Sequence, residues 1–311
     1  MDETSGLIID LAKDQRLEAY LVLSSAVILV YDYIITFDLE VSLIWFCHSG
    51  WSWTSALFML NRYLPFVDTV NGLWHDFVPD ITHDACRLSF QATGWLYVVG
   101  ISITEIILTI RTWAIWYRDP KLAVVLLVFI AVVWGPTFAV MIAFTKSFEF
   151  GPAPFPGFVG CNLVAANQIL LVSWVLLIVY EAGILILMTY RGYVGWRSGG
   201  GNTALFTAIY RDGLLYYLYL FVLSLVNIIV IKVFPKYIIL LAALERVVHS
   251  VLASRVILHI RDLATRNPSS SGELSNIEVS STEVRLHPIR FRRFSHTMSE
   301  STRESYNPNV E

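Results

Sequence analysis

Apolar residues run almost unbroken through long stretches of this chain, with short polar segments between them. A helix needs ~20 mostly apolar residues to cross the ~30 Å hydrocarbon core of a bilayer. Seven stretches reach that length, at 17–37, 51–71, 91–115, 121–144, 164–190, 213–232 and 237–260. The pattern predicts an all-α integral membrane protein, a seven-transmembrane-helix bundle over residues 1–261. The second stretch fits least well, because it holds Arg62, Pro65 and Asp68. Gly135-Pro136 interrupts the fourth, where the missing proline donor predicts a kink. Tryptophan and tyrosine gather near the ends of the stretches, as in Trp51, Trp53, Trp113, Trp116 and Tyr117. Such rings favour the boundary between hydrocarbon and water. No internal repeat of fixed period is visible.

The apolar pattern stops at Arg261. Residues 262–311 are rich in Ser, Thr, Asn, Arg and Glu and hold almost no apolar cluster. A segment of that kind buries too little surface to offset its ordering entropy, so a disordered cytoplasmic tail is expected. Within it, Arg292-Arg293-Phe294-Ser295 sets two arginines ahead of a serine, which makes Ser295 a candidate phosphosite. Composition agrees with the membrane reading. The chain is 56% hydrophobic and 15% charged, with a mean hydropathy of +0.60. Soluble domains are ~45–50% apolar and ~25% charged. A formal charge of −3 offers no basic face, so nucleic acid is excluded as a partner. The start of the chain lacks the positive segment and small-residue cleavage site of a signal peptide, so the first helix is expected to stay as an anchor.

Lysine and arginine in the short loops set the expected orientation. With the N-terminus outside, Arg111, Arg118, Lys121, Arg191, Arg197, Arg211, Arg255, Arg261 and Arg266 fall on the cytoplasmic side. The outer side then holds the acidic second loop with Asp68, Asp76, Asp80 and Asp84. The expected location is a plasma membrane or endomembrane, N-terminus outside and C-terminus cytoplasmic. Cys86 and Cys161 lie on the outer side just before the third and fifth helices, in a compartment that permits disulfides. A Cys86–Cys161 bridge is expected, with two unpaired loop thiols as the alternative. Cys47 falls on the cytoplasmic side, where a reduced thiol is expected.

Charged side chains are costly in hydrocarbon and need partners. Asp32, Arg62, Glu105, Arg111, Glu181, Glu245, Arg246 and His249 form the expected buried charge network. Counting ~1.5 Å per residue from the outer helix ends brings Glu105 and His249 to one level. The same count sends Arg111 and Glu181 together toward the cytoplasmic ends. Glu245 and His249 are four apart and share a helix face. Arg62 is expected to pair with Asp32, or else with Asp38. The cluster His75, Asp76, Asp80, His83 and Asp84 matches no zinc-ligand spacing and reads as an acidic loop.

One string stands out: Tyr31-Asp32-Tyr33, Thr36, Asp38, Glu40, Trp45, Trp51-Ser52-Trp53, then Asn61-Arg62-Tyr63-Leu64-Pro65. It resembles the signature of a fungal family of multi-helix membrane proteins catalogued only as a domain of unknown function. The resemblance covers about residues 20–65. Ser254-Arg255, Ile257-Leu258, Ile260-Arg261 and Gly272-Glu273-Leu274 are similar to that family's last helix and tail. The family implies no activity, cofactor or catalytic residue.

Several function classes drop out on missing motifs. No lysine lies deep in the seventh helix to hold retinal, and the third ends IRTWAIWYRD rather than in Asp-Arg-Tyr. The seventh helix lacks Asn-Pro-x-x-Tyr and the His-x-x-x-His of seven-helix metal-dependent hydrolases. No phosphate-binding, serine-hydrolase or HExxH motif occurs. No catalytic, cofactor or metal residue is assigned. The expected role is a non-enzymatic receptor-like or scaffold protein, with the bilayer and an unidentified ligand or cytoplasmic protein as partners. The alternative is a transporter or proton-coupled carrier using Glu105, Glu245 and His249.

Overall fold

A computed structural model describes residues 2–46, 53–79, 81–152, 158–197, 213–234 and 237–266. Cys47, Ser295 and the expected tail beyond Arg266 lie outside the described residues. Among the described residues the chain forms seven α-helices. They are α1 (Asp2–Glu40), α2 (Trp53–Phe77), α3 (His83–Ile115), α4 (Pro120–Lys146), α5 (Leu170–Arg197), α6 (Gly213–Val233) and α7 (Ala242–Arg266). A π-helical turn, Val41–Trp45, extends α1. Pro65 and Pro136 lie inside α2 and α4, which continue through them. The last helix begins at Ala242 and runs to Arg266, past the expected end of the membrane domain at 261.

Five helices are long and apolar enough to cross a membrane: Ala12–Trp45, α3, α4, α5 and Leu214–Val233. This is a multi-pass membrane protein. The expected count of seven is not met on length and composition, because α2 and α7 fall outside that set. The reason lies in their side chains. α2 carries Asn61, Arg62 and Asp68, and α7 carries Glu245, Arg246 and His249, all of them buried.

On α2 the usual amphipathic order is inverted. Its enclosed face is Phe58, Asn61, Arg62, Pro65, Asp68, Gly72 and His75. Leu60, Val67, Val70 and Trp74 are exposed on the other side. Spacings of three and four put each set on one stripe of the helix. A water-soluble helix does the reverse, whereas apolar side chains cost nothing against lipid.

The helices close into a ring, each packing on its neighbour in sequence and α7 returning to α1. α3 and α7 touch each other and lie innermost. α3 meets α2, α4, α5 and α7, and α7 meets α1, α2, α3 and α6. One end is tied by Cys86 and Cys161, joined in a disulfide with Cα atoms 5.7 Å apart. A short antiparallel hairpin, β1 (Glu149–Phe150) with β2 (Leu163–Ala165), covers the same end. Gly160 adopts φ +87°, and a Cβ there would strike the backbone of His75 and Asp76. That freedom lets Gly160 and Cys161 donate to Val78 O and His75 O, closing the loop over the end of α2.

Candidate functional site

Three polar nodes are buried along the bundle. The first is built by α1, α2 and α7. Asp32, Thr36 and Glu40 recur every four residues, so all three line one buried stripe of α1. They face Arg62 of α2. Arg62 Nε lies 2.5 Å from Glu40 Oε2, and its Nη2 donates to Thr36 Oγ1 at 2.7 Å. Tyr63 OH and Trp45 Nε1 both donate to Glu40 Oε1, at 2.8 and 3.1 Å. The guanidinium also lies over the Tyr33 ring, 5.1 Å from its centroid.

Asp32, the expected partner, does pair with Arg62, at 3.8 Å, but lies closer to Arg255, whose Nε donates to it at 2.6 Å. Asp38 is exposed. The difference follows from the length of α1. The helix continues through Glu40, which brings a carboxylate two turns beyond Asp32 level with the guanidinium. Beside this node Asn61 is fully satisfied. Its amide donates to Ser250 O and Ser254 Oγ, and its Oδ1 accepts from Thr104.

The second node is an ion pair, Arg246 Nε to Asp68 Oδ2 at 3.1 Å, with both side chains essentially inaccessible. It depends on Gly100 of α3. Any Cβ at that position would run into the Arg246 guanidinium, so the close approach requires glycine.

The third node joins α3, α5, α6 and α7. His249 Nδ1 lies 3.4 Å from Glu105, and its Nε2 lies 3.3 Å from Glu181 and 3.9 Å from Glu245. Glu245 is held by Ser224 Oγ at 2.7 Å and Asn227 Nδ2 at 2.5 Å. Beneath Glu105 and Glu181 the hydroxyls of Thr109 and Tyr180 pair. Glu181 was expected near Arg111, toward the far end of α5. The helix starts at Leu170 rather than 164, which moves Glu181 up by about 9 Å at ~1.5 Å per residue. Arg111 does not join this node. It is half-buried and interacts with Tyr217 and Tyr216 of α6.

Above the third node opens a cavity of about 140 Å³. Its walls are mainly apolar and aromatic, among them Tyr97, Trp134, Met141 and Trp174. Glu18, His75 and Asp76, toward the disulfide end, supply its polar side. Ile101, Leu177 and Ala242 also line it. They stand four, four and three residues before Glu105, Glu181 and Glu245. One helical turn therefore separates the cavity from the buried acids.

Residues 20–67 match a family model described as Family of unknown function (DUF6533). The matched stretch contains Asp32, Tyr33, Thr36, Glu40, Trp45, Arg62 and Tyr63, the α1 and α2 parts of the first node. No curated protein and no solved structure matches the chain. The second and third nodes and most of the cavity wall lie beyond the DUF6533 segment.

Asp68 is the member that sequence reasoning missed. It was grouped with the acidic loop, yet its spacing from Asn61, Pro65, Gly72 and His75 already marks one helix face. Glu40 carried the same signal, standing four residues after Thr36 and eight after Asp32, but lay beyond the expected end of the first helix at 37.

Proposed function

We propose that this chain is a non-enzymatic, receptor-like membrane protein that takes a small ligand in the cavity between α1, α2, α3, α4, α5 and α7. The cavity is the observation that carries the reading. Its deep walls are apolar, and ~150 Å³ is the size of cavity that holds a benzene-sized body. The acids Glu18 and Asp76 on its polar side favour a cationic or donor-bearing head. The proposed ligand class is therefore a small aromatic or aliphatic amine.

All seven helices cross the bilayer on this reading, with the N-terminus outside and the C-terminus cytoplasmic. The inverted amphipathic order of α2 supports its crossing, and the enclosure of α7 by α1, α2, α3 and α6 supports its own. The arginines at the far ends of α3, α5 and α7 support the orientation. So does the disulfide at the opposite end.

The test uses the full chain in lipid nanodiscs. Trp134 and Trp174 line the cavity, so their fluorescence reports occupancy by phenethylamine. A saturable response is expected. Gly72→Leu fills the cavity, since a Cβ there meets only Val22 at 3.9 Å. That variant should lose at least about tenfold in affinity, equivalent to ~1.4 kcal/mol. A non-saturable response, or equal binding by a well-folded Gly72→Leu protein, would refute the reading.

A proton-coupled carrier is the second reading. The stacking of Glu105, His249, Glu181 and Glu245 below the cavity favours it. Proton flux into liposomes that responds to the amine would favour the carrier over the receptor.

A further inference from the structure

We propose that Glu105, Glu181 and His249 form a binding site for a divalent transition-metal ion of the Zn²⁺ class. One donor atom from each residue can be chosen so that all three lie within 4.8 Å of one another. The ligands come from α3, α5 and α7, three helices that meet at the centre of the bundle. No sequence motif announces such a site, because no two of its ligands share a helix.

Two features separate this node from an ordinary buried ion pair. The first is charge. Glu105, Glu181 and Glu245 face the single imidazole of His249, so three carboxylates meet at most one positive charge. Arg246, next to Glu245 on α7, is engaged by Asp68. Buried charge of one sign needs a compensating cation or protons.

The second is unspent bonding capacity. Both oxygens of Glu181, Oε1 of Glu105 and both nitrogens of His249 are buried without a hydrogen bond. The side chains are 3%, 2% and 0% exposed. These atoms point at each other across 3.3 and 3.4 Å but are not aligned as donors and acceptors. Donors held ~2.0–2.2 Å from a tetrahedral zinc lie about that far apart. Glu245 differs, because Ser224 and Asn227 already occupy its oxygens. It stays beside the site, held by those two donors, and is not a ligand.

One imidazole nitrogen and two carboxylates favour Zn²⁺, Co²⁺ or Ni²⁺ over the all-oxygen preference of Ca²⁺ and Mg²⁺. Three protein ligands leave a fourth position open. The cavity lies one helical turn away, past Ile101 and Leu177. The site does not depend on the cavity's amine: metal content is read without any organic ligand present.

The test measures metal in the full chain purified in detergent from zinc-supplemented cells, by elemental mass spectrometry. Cobalt exchange is then read by visible absorption. One equivalent of zinc, and the visible band of four-coordinate Co²⁺, are expected. Glu105→Gln, Glu181→Gln and His249→Gln should each weaken binding by about tenfold or more. Glu181→His, which swaps one metal ligand for another, should retain the metal. It keeps the test decisive if a glutamine variant fails to fold. Absence of stoichiometric metal together with no Co²⁺ band would overturn the proposal and leave a proton-shared network. Full binding by His249→Gln or Glu181→Gln would also overturn it, placing the ion elsewhere, for example on the His75 and Asp76 end.

Discussion

Glu40→Leu is the sharpest test of how the first node is held together. Glu40 is the closest carboxylate to Arg62, at 2.5 Å, and it also accepts from Tyr63 and Trp45. Removing it strands a guanidinium whose side chain is 4% exposed. Breaking a buried pair by removing one partner costs ~3–5 kcal/mol. Each orphaned neutral donor adds up to ~1–3 kcal/mol where water cannot reach it. The expected loss for Glu40→Leu therefore sits at about 5 kcal/mol. Arg62→Met should cost about the same, because it strands Glu40 instead. The double variant removes both charges and should lose about 7 kcal/mol rather than the about 10 of simple additivity, a coupling energy near the ~3 kcal/mol upper end for residues in contact.

The parallel cycle of Arg62→Met with Asp32→Leu should couple by less than about 1 kcal/mol, since Asp32 keeps Arg255 at 2.6 Å and lies 3.8 Å from Arg62. Both cycles are read by denaturant or thermal unfolding in one detergent. Additivity of Glu40 with Arg62, or a larger coupling at Asp32, would refute this assignment.

Two further outcomes follow from close contacts elsewhere. Gly100→Val should destabilise by at least the ~1–3 kcal/mol of overpacking, because its side chain displaces the Arg246 guanidinium from Asp68; no change in unfolding midpoint would contradict the packing. Peptide mapping without reduction should return Cys86 linked to Cys161, and finding both thiols alkylated before reduction would contradict the bridge.

Helix positions were legible in the sequence because hydrophobic length is a local property. The stretches near 91–115, 121–144 and 213–232 fall within α3, α4 and α6, and 164–190 falls for most of its length within α5. Charge partners were less legible, because a pairing depends on helix ends that shift by a turn or more. Extending α1 to Glu40 gave Arg62 a second and closer carboxylate beside Asp32. Starting α5 at Leu170 carried Glu181 from the level of Arg111 to that of His249. Glu105 and His249 lie 3.4 Å apart, as depth counting placed them, although α3 starts at His83 rather than 91 and α7 at Ala242 rather than 237. Asp68 shows the opposite failure. It lay inside the 51–71 stretch at helical spacing from Asn61 and Pro65, yet was grouped with the acidic loop because that stretch stops at 71 whereas α2 runs to Phe77.

α7 contributes to every buried node, which decides how this bundle can rearrange. Arg255 meets Asp32 on α1, Ser250 and Ser254 meet Asn61 on α2, Arg246 meets Asp68, and His249 faces α3 and α5. Sliding α7 past α1 and α2 would break several buried charge-bearing contacts at once. The opposite wall differs. Leu126, Val133, Trp134, Leu177, Ile184 and Leu220 on α4, α5 and α6 belong to one apolar cluster. Apolar side chains lose little when they exchange each other for lipid tails. α1, α2 and α7 are therefore tied together by buried charge, whereas α4 meets the cavity through Val133, Trp134 and Met141 and contributes no charged side chain to any of the three nodes.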